Sequence, residues 1–175
     1  MLLCISGSLR AQSVNRRLLA EAARLYGGPA QTADLRLPLY DGDLEDAEGI
    51  PDAVQTLSDQ IAAAEAVAIS TPEYNQSLSG VLKNALDWVS RTKGGPWRDK
   101  PVAIMSAAAG RAGGARASYA LRLAITPFGP RLLTGPDLML ADASNQFDAD
   151  GRLTNELSLK MLGDMMDRLR AEVRR

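Results

Sequence analysis

The sequence predicts an open parallel sheet of five strands, in the order 2-1-3-4-5, with helices on both faces. Three observations carry that reading. Short apolar runs alternate with segments of helical spacing from one end of the chain to the other. Three of those runs stop at loops rich in Gly, Ser, Pro or small residues, beginning at Ser6, Pro72 and Ser106. No internal repeat, low-complexity tract or linker divides the 175 residues, so a single domain over 1–175 is expected. In such a sheet a ligand binds beyond the carboxyl ends of the strands, at the switch point between strands one and three.

The first strand is the run Met1 to Ile5, and the helix after it is carried by Val14, Leu18, Ala22 and Leu25, with Tyr26 close by. Gln31 to Leu37 reads as the second strand, and the acidic stretch Asp43 to Glu48 reads as a solvated loop. Pro51 suits the first turn of a helix running to about Ala64. Glu65 to Thr71 is the third strand. Leu78 to Ser90 follows as a helix with Val81, Leu82, Ala85, Leu86 and Val89 on one face. Pro101 to Met105 is the fourth strand, and a helix from about Gly114 to Ala124 follows its glycine-rich exit loop. A fifth strand is interrupted at Gly135-Pro136, between Leu132-Leu133 and Leu138 to Leu140. The last helix steps by three and four through Leu159, Leu162, Met166, Leu169 and Val173, so its methionines belong to the core.

Composition removes several chemistries. There is no histidine, which takes away the commonest general base and the commonest metal ligand together. Ser-His-Asp catalysis and ordinary zinc hydrolysis are excluded on that count, and no metal site is expected. The formal net charge of -1 suggests neither a nucleic-acid partner nor an anionic membrane. Cys4 stands alone inside the first apolar run, where a buried, inert thiol is expected. No basic leader precedes the first strand and no apolar run reaches the length of a membrane span, so a cytoplasmic protein is expected.

The first loop, Ser6-Gly7-Ser8-Leu9-Arg10-Ala11-Gln12-Ser13-Val14-Asn15, feeds a helix N-terminus, where unpaired N–H groups and the positive end of the helix dipole suit a phosphate. Gly7 lets backbone come close, Ser8, Ser13 and Asn15 offer polar side chains, and Arg10 supplies a permanent charge. The same residues also fit a plain capped turn with Ser13 as N-cap and Arg10 in solvent. The third strand exits into Thr71-Pro72-Glu73-Tyr74-Asn75-Gln76-Ser77. Pro72 stiffens it, Tyr74 offers a flat ring with a polar tip, and Asn75 can read the edge of a heterocycle. A helix-capping turn with Tyr74 half buried is the competing account. The fourth strand exits into small residues from Ser106 to Gly114, which let backbone approach a flat ligand. Neither glycine-containing loop has the spacing of a dinucleotide fingerprint or a Walker A motif.

Taken together, Gly7-Ser8-Leu9-Arg10 with Ser13 and Asn15, then Thr71-Pro72-Glu73-Tyr74-Asn75, then Leu82-Lys83-Asn84-Ala85-Leu86-Asp87-Trp88 resemble the NAD(P)H-dependent FMN reductase family, which includes quinone, chromate and azo-dye reductases. The resemblance runs from residue 1 to the last helix. It implies a flavodoxin-like fold with FMN as cofactor and NADPH or NADH as co-substrate. It further implies Ser8, Arg10, Ser13, Val14 and Asn15 at the flavin phosphate, Pro72, Glu73, Tyr74, Asn75 and Gln76 along the isoalloxazine ring, and Ser106 and Gly110 at the ring's other edge. Ala107-Ala108 departs from the pattern, since many relatives carry hydroxyl residues there. Relatives complete a shallow site across an interface, so a homodimer or homotetramer is expected, with Arg116 and Tyr119 one turn apart on a helix face suited to it. The partner of the reaction is a small-molecule electron acceptor: a quinone, an azo or nitro compound, a metal oxyanion or free flavin. A flavodoxin-type electron carrier and a non-enzymatic flavin-binding module are the alternatives. Glu73 and Asp87 are the acidic residues nearest the loops. Neither reads as a general acid, and Asp87 is placed to pair with Lys83.

Overall fold

A computed structural model describes residues 1–175. Its strands are β1 (Leu2–Ser6), β2 (Ala30–Thr32), β3 (Ala66–Thr71), β4 (Pro101–Ala107), β5 (Arg131–Leu132) and β6 (Leu138–Leu140). Its helices are α1 (Val14–Tyr26), α2 (Gly42–Glu48), α3 (Asp52–Ala63), α4 (Gly80–Val89), α5 (Ala115–Ile125) and α6 (Glu156–Val173). All strand pairs are parallel, in the order β2-β1-β3-β4-β5, with β6 also on β4. β5 meets the start of β4 at Pro101 and Val102, and β6 meets its end at Met105 to Ala107, so the two are halves of one interrupted fifth strand. This is the flavodoxin-like arrangement.

Side-chain alternation along the central strands sorts the core into two layers. Leu2, Cys4, Ala66, Ala68, Ala103 and Met105 face α1 and α6, while Leu3, Ile5, Val67, Ile69, Val102 and Ile104 face α3, α4 and α5. Small alanines on the first face leave room for the leucines and methionines of α1 and α6. Branched residues fill the second. Cys4 lies in the α1/α6 layer, and burial pushes its thiol pKa up to about 11, which makes it inert.

Two expectations are corrected here. The second strand does not run from Gln31 to Leu37. It is three exposed residues, after which the Ala33 amide still donates to the Cys4 carbonyl at 3.0 Å and Leu35 buries its side chain with no backbone bond to β1. An edge strand needs only its inward positions to pack, so the apolar pattern outlasts the hydrogen bonding. The acidic stretch is not a loop but α2. Asp41 caps it, its carboxylate accepting from the Asp43 amide at 2.9 Å, with Asp43 and Glu45 in the first turn where the helix dipole favours negative charge. Glu45 then pairs with Arg91 at 2.8 Å, tying α2 to the end of α4. Lys83 and Asp87 pair at 2.6 Å on the surface of α4, as their spacing requires.

Candidate functional site

The exits of β1, β3, β4 and β6 converge on a cleft of about 360 Å³, within the ~300–1,000 Å³ usual for small-molecule sites. Its first wall is the β1–α1 loop. Gly7 keeps the close approach where this loop meets the β3 exit free of crowding: a Cβ there would stand 3.0 Å from Pro72 Cδ and 3.2 Å from Ser79 Oγ. The Gly7 N–H donates to the Ser70 carbonyl at 2.9 Å, and the Ser79 hydroxyl donates to the Gly7 carbonyl at 2.6 Å. Ser13 is indeed the N-cap of α1, its Oγ accepting from the Asn15 amide at 3.2 Å. Ser8 Oγ accepts from the Arg10 amide at 3.4 Å.

That capping is incomplete. The N–H groups of Leu9, Ala11, Gln12 and Val14 have no acceptor within the chain, and neither does the Arg10 guanidinium. Four free amide donors and one free cation around a helix N-terminus are a donor set made for an anion. The residues therefore fit the phosphate of FMN, and the capped-turn account and the phosphate account describe the same loop.

Asn15 lines the cleft, as its place in the first loop leads one to expect, and is at the same time tied into the interior. It is 1 % exposed, and its side-chain amide makes three hydrogen bonds inside the protein. Oδ1 accepts from the Ser70 hydroxyl at 2.7 Å and from the Ala107 amide at 3.1 Å, while Nδ2 donates to the Ala107 carbonyl at 3.0 Å. One Nδ2 hydrogen has no acceptor within the chain. The side chain joins α1, β3 and β4, and so fixes where the loop amides point relative to the Ala107 wall.

The β3 exit forms a two-residue hairpin. Tyr74 and Ser77 exchange both backbone hydrogen bonds at 3.1 Å, and Asn75 and Gln76 between them take φ values of 49° and 66°. Asn tolerates that left-handed conformation, whereas Gln is strained in it, by ~1 kcal/mol. Tyr74 is left 51 % exposed at the cleft edge, with Pro72 buried behind it. Asn75 and Gln76 form the exposed tip and are not part of the cleft wall.

Glu73 lies on the wall, but its carboxylate is turned into α5. Oε2 accepts from the Arg116 amide at 3.1 Å and Oε1 from the Arg116 guanidinium at 3.2 Å. Glu73 thus lines the cleft while its carboxylate is taken by α5. α5 begins after Gly114 with no side-chain cap and no acid in its first turn, and Glu73 supplies both.

The β4 exit presents Ala107, Ala108 and Ala109 to the cleft. Ser106 does not reach it: the residue is fully buried, and its hydroxyl donates to the Gly113 carbonyl at 2.7 Å. Gly110 is exposed beyond the wall. Gly113, with φ of 59°, has room for no side chain, since a Cβ would overlap the Met139 carbonyl. Gln12 and Ser144 line the cleft and were missed. Ser144 follows β6, where the Ala143 amide donates to the Ala108 carbonyl at 3.2 Å, and the rule that ligands sit at strand carboxyl ends was the signal that could have found it. With Glu73 neutralised by Arg116, Arg10 is the uncompensated charge on the cleft.

A doubly wound parallel sheet, with free amide donors in its first loop and a cleft at the β1/β3 switch point, is the flavodoxin-like arrangement of a mononucleotide-binding fold. The chain belongs to the NADPH-dependent FMN reductase family, whose pattern matches residues 1–144. It is 44 % identical over 174 residues to the NAD(P)H-dependent FMN reductase of Pseudomonas aeruginosa, covering 98 % of this chain and 94 % of that protein. It is 38 % identical over 148 residues to the quinone reductase of Escherichia coli strain K12, covering 81 % and 78 %. Among solved structures it resembles FerB, the flavoenzyme NAD(P)H:(acceptor) oxidoreductase of Paracoccus denitrificans, with a TM-score of 0.89 at 30 % identity over 99 % of this chain and 96 % of that one. The expectations of an oxidoreductase family and of FMN with NADPH or NADH accord with these relatives.

Proposed function

We propose that this protein is an FMN-dependent reductase that oxidises NADPH or NADH and reduces a small quinone. The observation that carries the reading is the first loop, with four backbone donors and the Arg10 guanidinium free at the mouth of a cleft. When bound, FMN supplies the redox chemistry, taking a hydride from the nicotinamide and passing the reducing equivalents to the acceptor. The chain's own residues hold and orient. The amides of Leu9, Ala11, Gln12 and Val14, with Ser8, Ser13 and Arg10, take the phosphate. The backbone of Pro72 to Tyr74 and the small side chains of Ala107 to Ala109 flank the ring, and the Tyr74 ring edges the acceptor side. Small alanines admit close approach on that wall without competing polar groups.

The same reading has three corollaries. Residues 1–175 act as one flavin-binding domain. The protein works in the cytoplasm, and no helix is long and apolar enough to cross a membrane. It self-associates as a homodimer or homotetramer. Support for the last comes from α5, where Tyr119 and Leu123 stand exposed one turn apart. Arg116 stands one turn before Tyr119, its side chain 58 % exposed with one guanidinium nitrogen held by Glu73.

The test is steady-state oxidation of NADPH and of NADH by FMN-loaded protein, with and without 1,4-benzoquinone, beside titrations of FMN and riboflavin into apoprotein. Quinone-stimulated turnover and much tighter binding of FMN than riboflavin are expected. Equal affinity for the two flavins would overturn the phosphate assignment. Absence of turnover with either nicotinamide would leave a carrier or binding module. Light scattering that shows an active monomer would remove the self-association.

A further inference from the structure

Reduction of a quinone to a hydroquinone takes two electrons and two protons. The hydride that leaves the nicotinamide carries both electrons and one proton, so one more proton must reach the acceptor. Negative charge left by hydride addition gathers on a carbonyl oxygen, and a donor already hydrogen-bonded to that oxygen speeds its protonation. Few groups of this chain can be that donor. There is no histidine, and Cys4 is buried in the α1/α6 layer. The Glu73 carboxylate takes the Arg116 amide and guanidinium, which hold it as an acceptor. Arg10, Gln12 and the first-loop serines lie at the phosphate end of the cleft, and Ser144 brings only an aliphatic hydroxyl, a far weaker acid than a phenol.

Tyr74 is left. Its backbone is pinned in the hairpin by two 3.1 Å bonds with Ser77, and its side chain lines the cleft at 51 % exposure. Among the four tyrosines, two spend their hydroxyls on carboxylates: Tyr26 donates to Glu65 at 2.7 Å and Tyr40 to Glu45 at 3.0 Å. Tyr119 stands exposed on α5, outside the cleft. The Tyr74 hydroxyl alone is both on the cleft and without a partner in the chain.

We propose that the Tyr74 hydroxyl is the proton donor to the acceptor: it hydrogen-bonds the quinone oxygen on which charge gathers and gives that oxygen its proton as the hydride arrives. This rests on the quinone-reductase reading above. The Tyr74 O–H bond breaks, a hydroquinone O–H bond forms, and water at the exposed ring restores the tyrosine. NADPH or NADH, a quinone and one solvent proton thereby become the oxidised nicotinamide and a hydroquinone. Donor and product are both phenols, so the transfer is close to balanced in energy. Acceptors that must be protonated gain from Tyr74, and acceptors reduced by electrons alone gain nothing.

The experiment uses wild type, Tyr74→Phe and Tyr74→Leu at saturating FMN, each reduced with one equivalent of NADPH or NADH. Each is then mixed with 1,4-benzoquinone or with ferricyanide, which takes up an electron and no proton. The readout is the ratio of the two reoxidation rate constants, in which an altered flavin seating cancels. Tyr74→Phe keeps the ring and loses only the O–H group. Its ratio falls about ten- to a hundredfold, at the low end of general acid catalysis because water partly substitutes at an open site. Tyr74→Leu falls by the same factor. Without turnover, the affinity of oxidised, FMN-loaded Tyr74→Phe for 1,4-benzoquinone falls about three- to tenfold, for one neutral hydrogen bond lost. An unchanged ratio in Tyr74→Phe, or one that falls only in Tyr74→Leu, overturns the proposal while the quinone reading stands. Reduced wild type that benzoquinone cannot reoxidise defeats the reading itself. If neither variant holds FMN, wild type in heavy water decides: reoxidation by benzoquinone slows and that by ferricyanide does not, and equal behaviour of the two acceptors overturns the proposal.

Discussion

At the first-loop end of the cleft, a buried amide organises the site. Asn15 is 1 % exposed, and its three side-chain bonds reach Ser70 and Ala107, 55 and 92 residues away. At the hairpin end, Tyr74 is 51 % exposed and its one forward tether is the Glu73–Arg116 pair, whose guanidinium side is open to solvent. A hydrogen bond lost in the interior leaves unpaired polar groups with no water to replace it, whereas a solvent-facing pair is largely replaced by water. The cleft thus has a stiff end suited to a permanently held phosphate, and an adjustable end suited to substrates that come and go.

The sharpest way to break that contrast is Asn15→Ala. It strands the Ser70 hydroxyl and both backbone groups of Ala107 in the interior, at ~1–3 kcal/mol for each unsatisfied group. A loss of about 3–5 kcal/mol in denaturant-monitored stability is expected, together with loss of FMN binding. A loss under about 1 kcal/mol would show that the stiff end is not held by this residue. Asn15→Asp keeps both acceptor functions and turns the Nδ2 donor into repulsion against the Ala107 carbonyl, so it should fall between.

Arg10→Ala tests the same end from the ligand's side. Its guanidinium has no protein partner, so folding should change by less than about 0.5 kcal/mol. FMN affinity should fall about ten- to a hundredfold, from a charged hydrogen bond of roughly 1.5–3 kcal/mol. Turnover at saturating FMN should be largely retained. Titration of apoprotein followed by kinetics at saturation checks both. Unchanged affinity, or turnover still absent at saturation, would reassign the residue.

A smaller effect comes from a third carboxylate, Glu21 on α1, which clips the segment after β6 to the helix. Burial raises its pKa, but hydrogen bonds and charge from Arg24 and Arg152 outweigh that and hold it below the usual 4.5. Because the folded pKa lies below the unfolded one, this stabilisation is fully present above about pH 4.5 and is lost as pH falls through the folded value. Thermal melts of wild type and Glu21→Gln should therefore differ at neutral pH and converge in acid. A difference that persists undiminished once Glu21 is protonated would show that the clip does not depend on the charge. Arg152 carries this link across 131 residues to the hairpin that follows Ser144, so the melt also reports how firmly the β6 exit is seated.

The residues that were readable from the chain alone are those whose surroundings lie within a few positions. The buried runs of β1, β3 and β4 and the three- and four-residue steps of α1, α4 and α6 are local patterns imposed by the two periodicities of backbone structure. Their alternation dictates the parallel sheet, and the sheet dictates which loops meet. Ser8, Arg10, Ser13, Val14, Asn15, Pro72, Glu73 and Tyr74 were therefore legible as cleft residues. α2 was misread because its seven residues, acidic or small apart from Leu44, carry no apolar stripe, although Asp41 stood in the cap position. β2 was overextended because Leu35 packs like a strand residue after the backbone pairing to β1 has ended at Ala33.

What only the tertiary structure decided is which polar side chains are consumed inside the protein. Asn15, Glu73 and Ser106 are the residue types a flavin site needs, in loops that line it. Yet each is satisfied by a neighbour brought from elsewhere: Ala107 for Asn15, Arg116 for Glu73, and Gly113 for Ser106. Ser144 reached the cleft for the same reason, through β6 pairing with the end of β4. Hydrogen bonds act over about 3 Å in space without regard to separation along the chain. Sequence pattern therefore determined the loops, and the folded packing determined which donors within them remain free for a ligand.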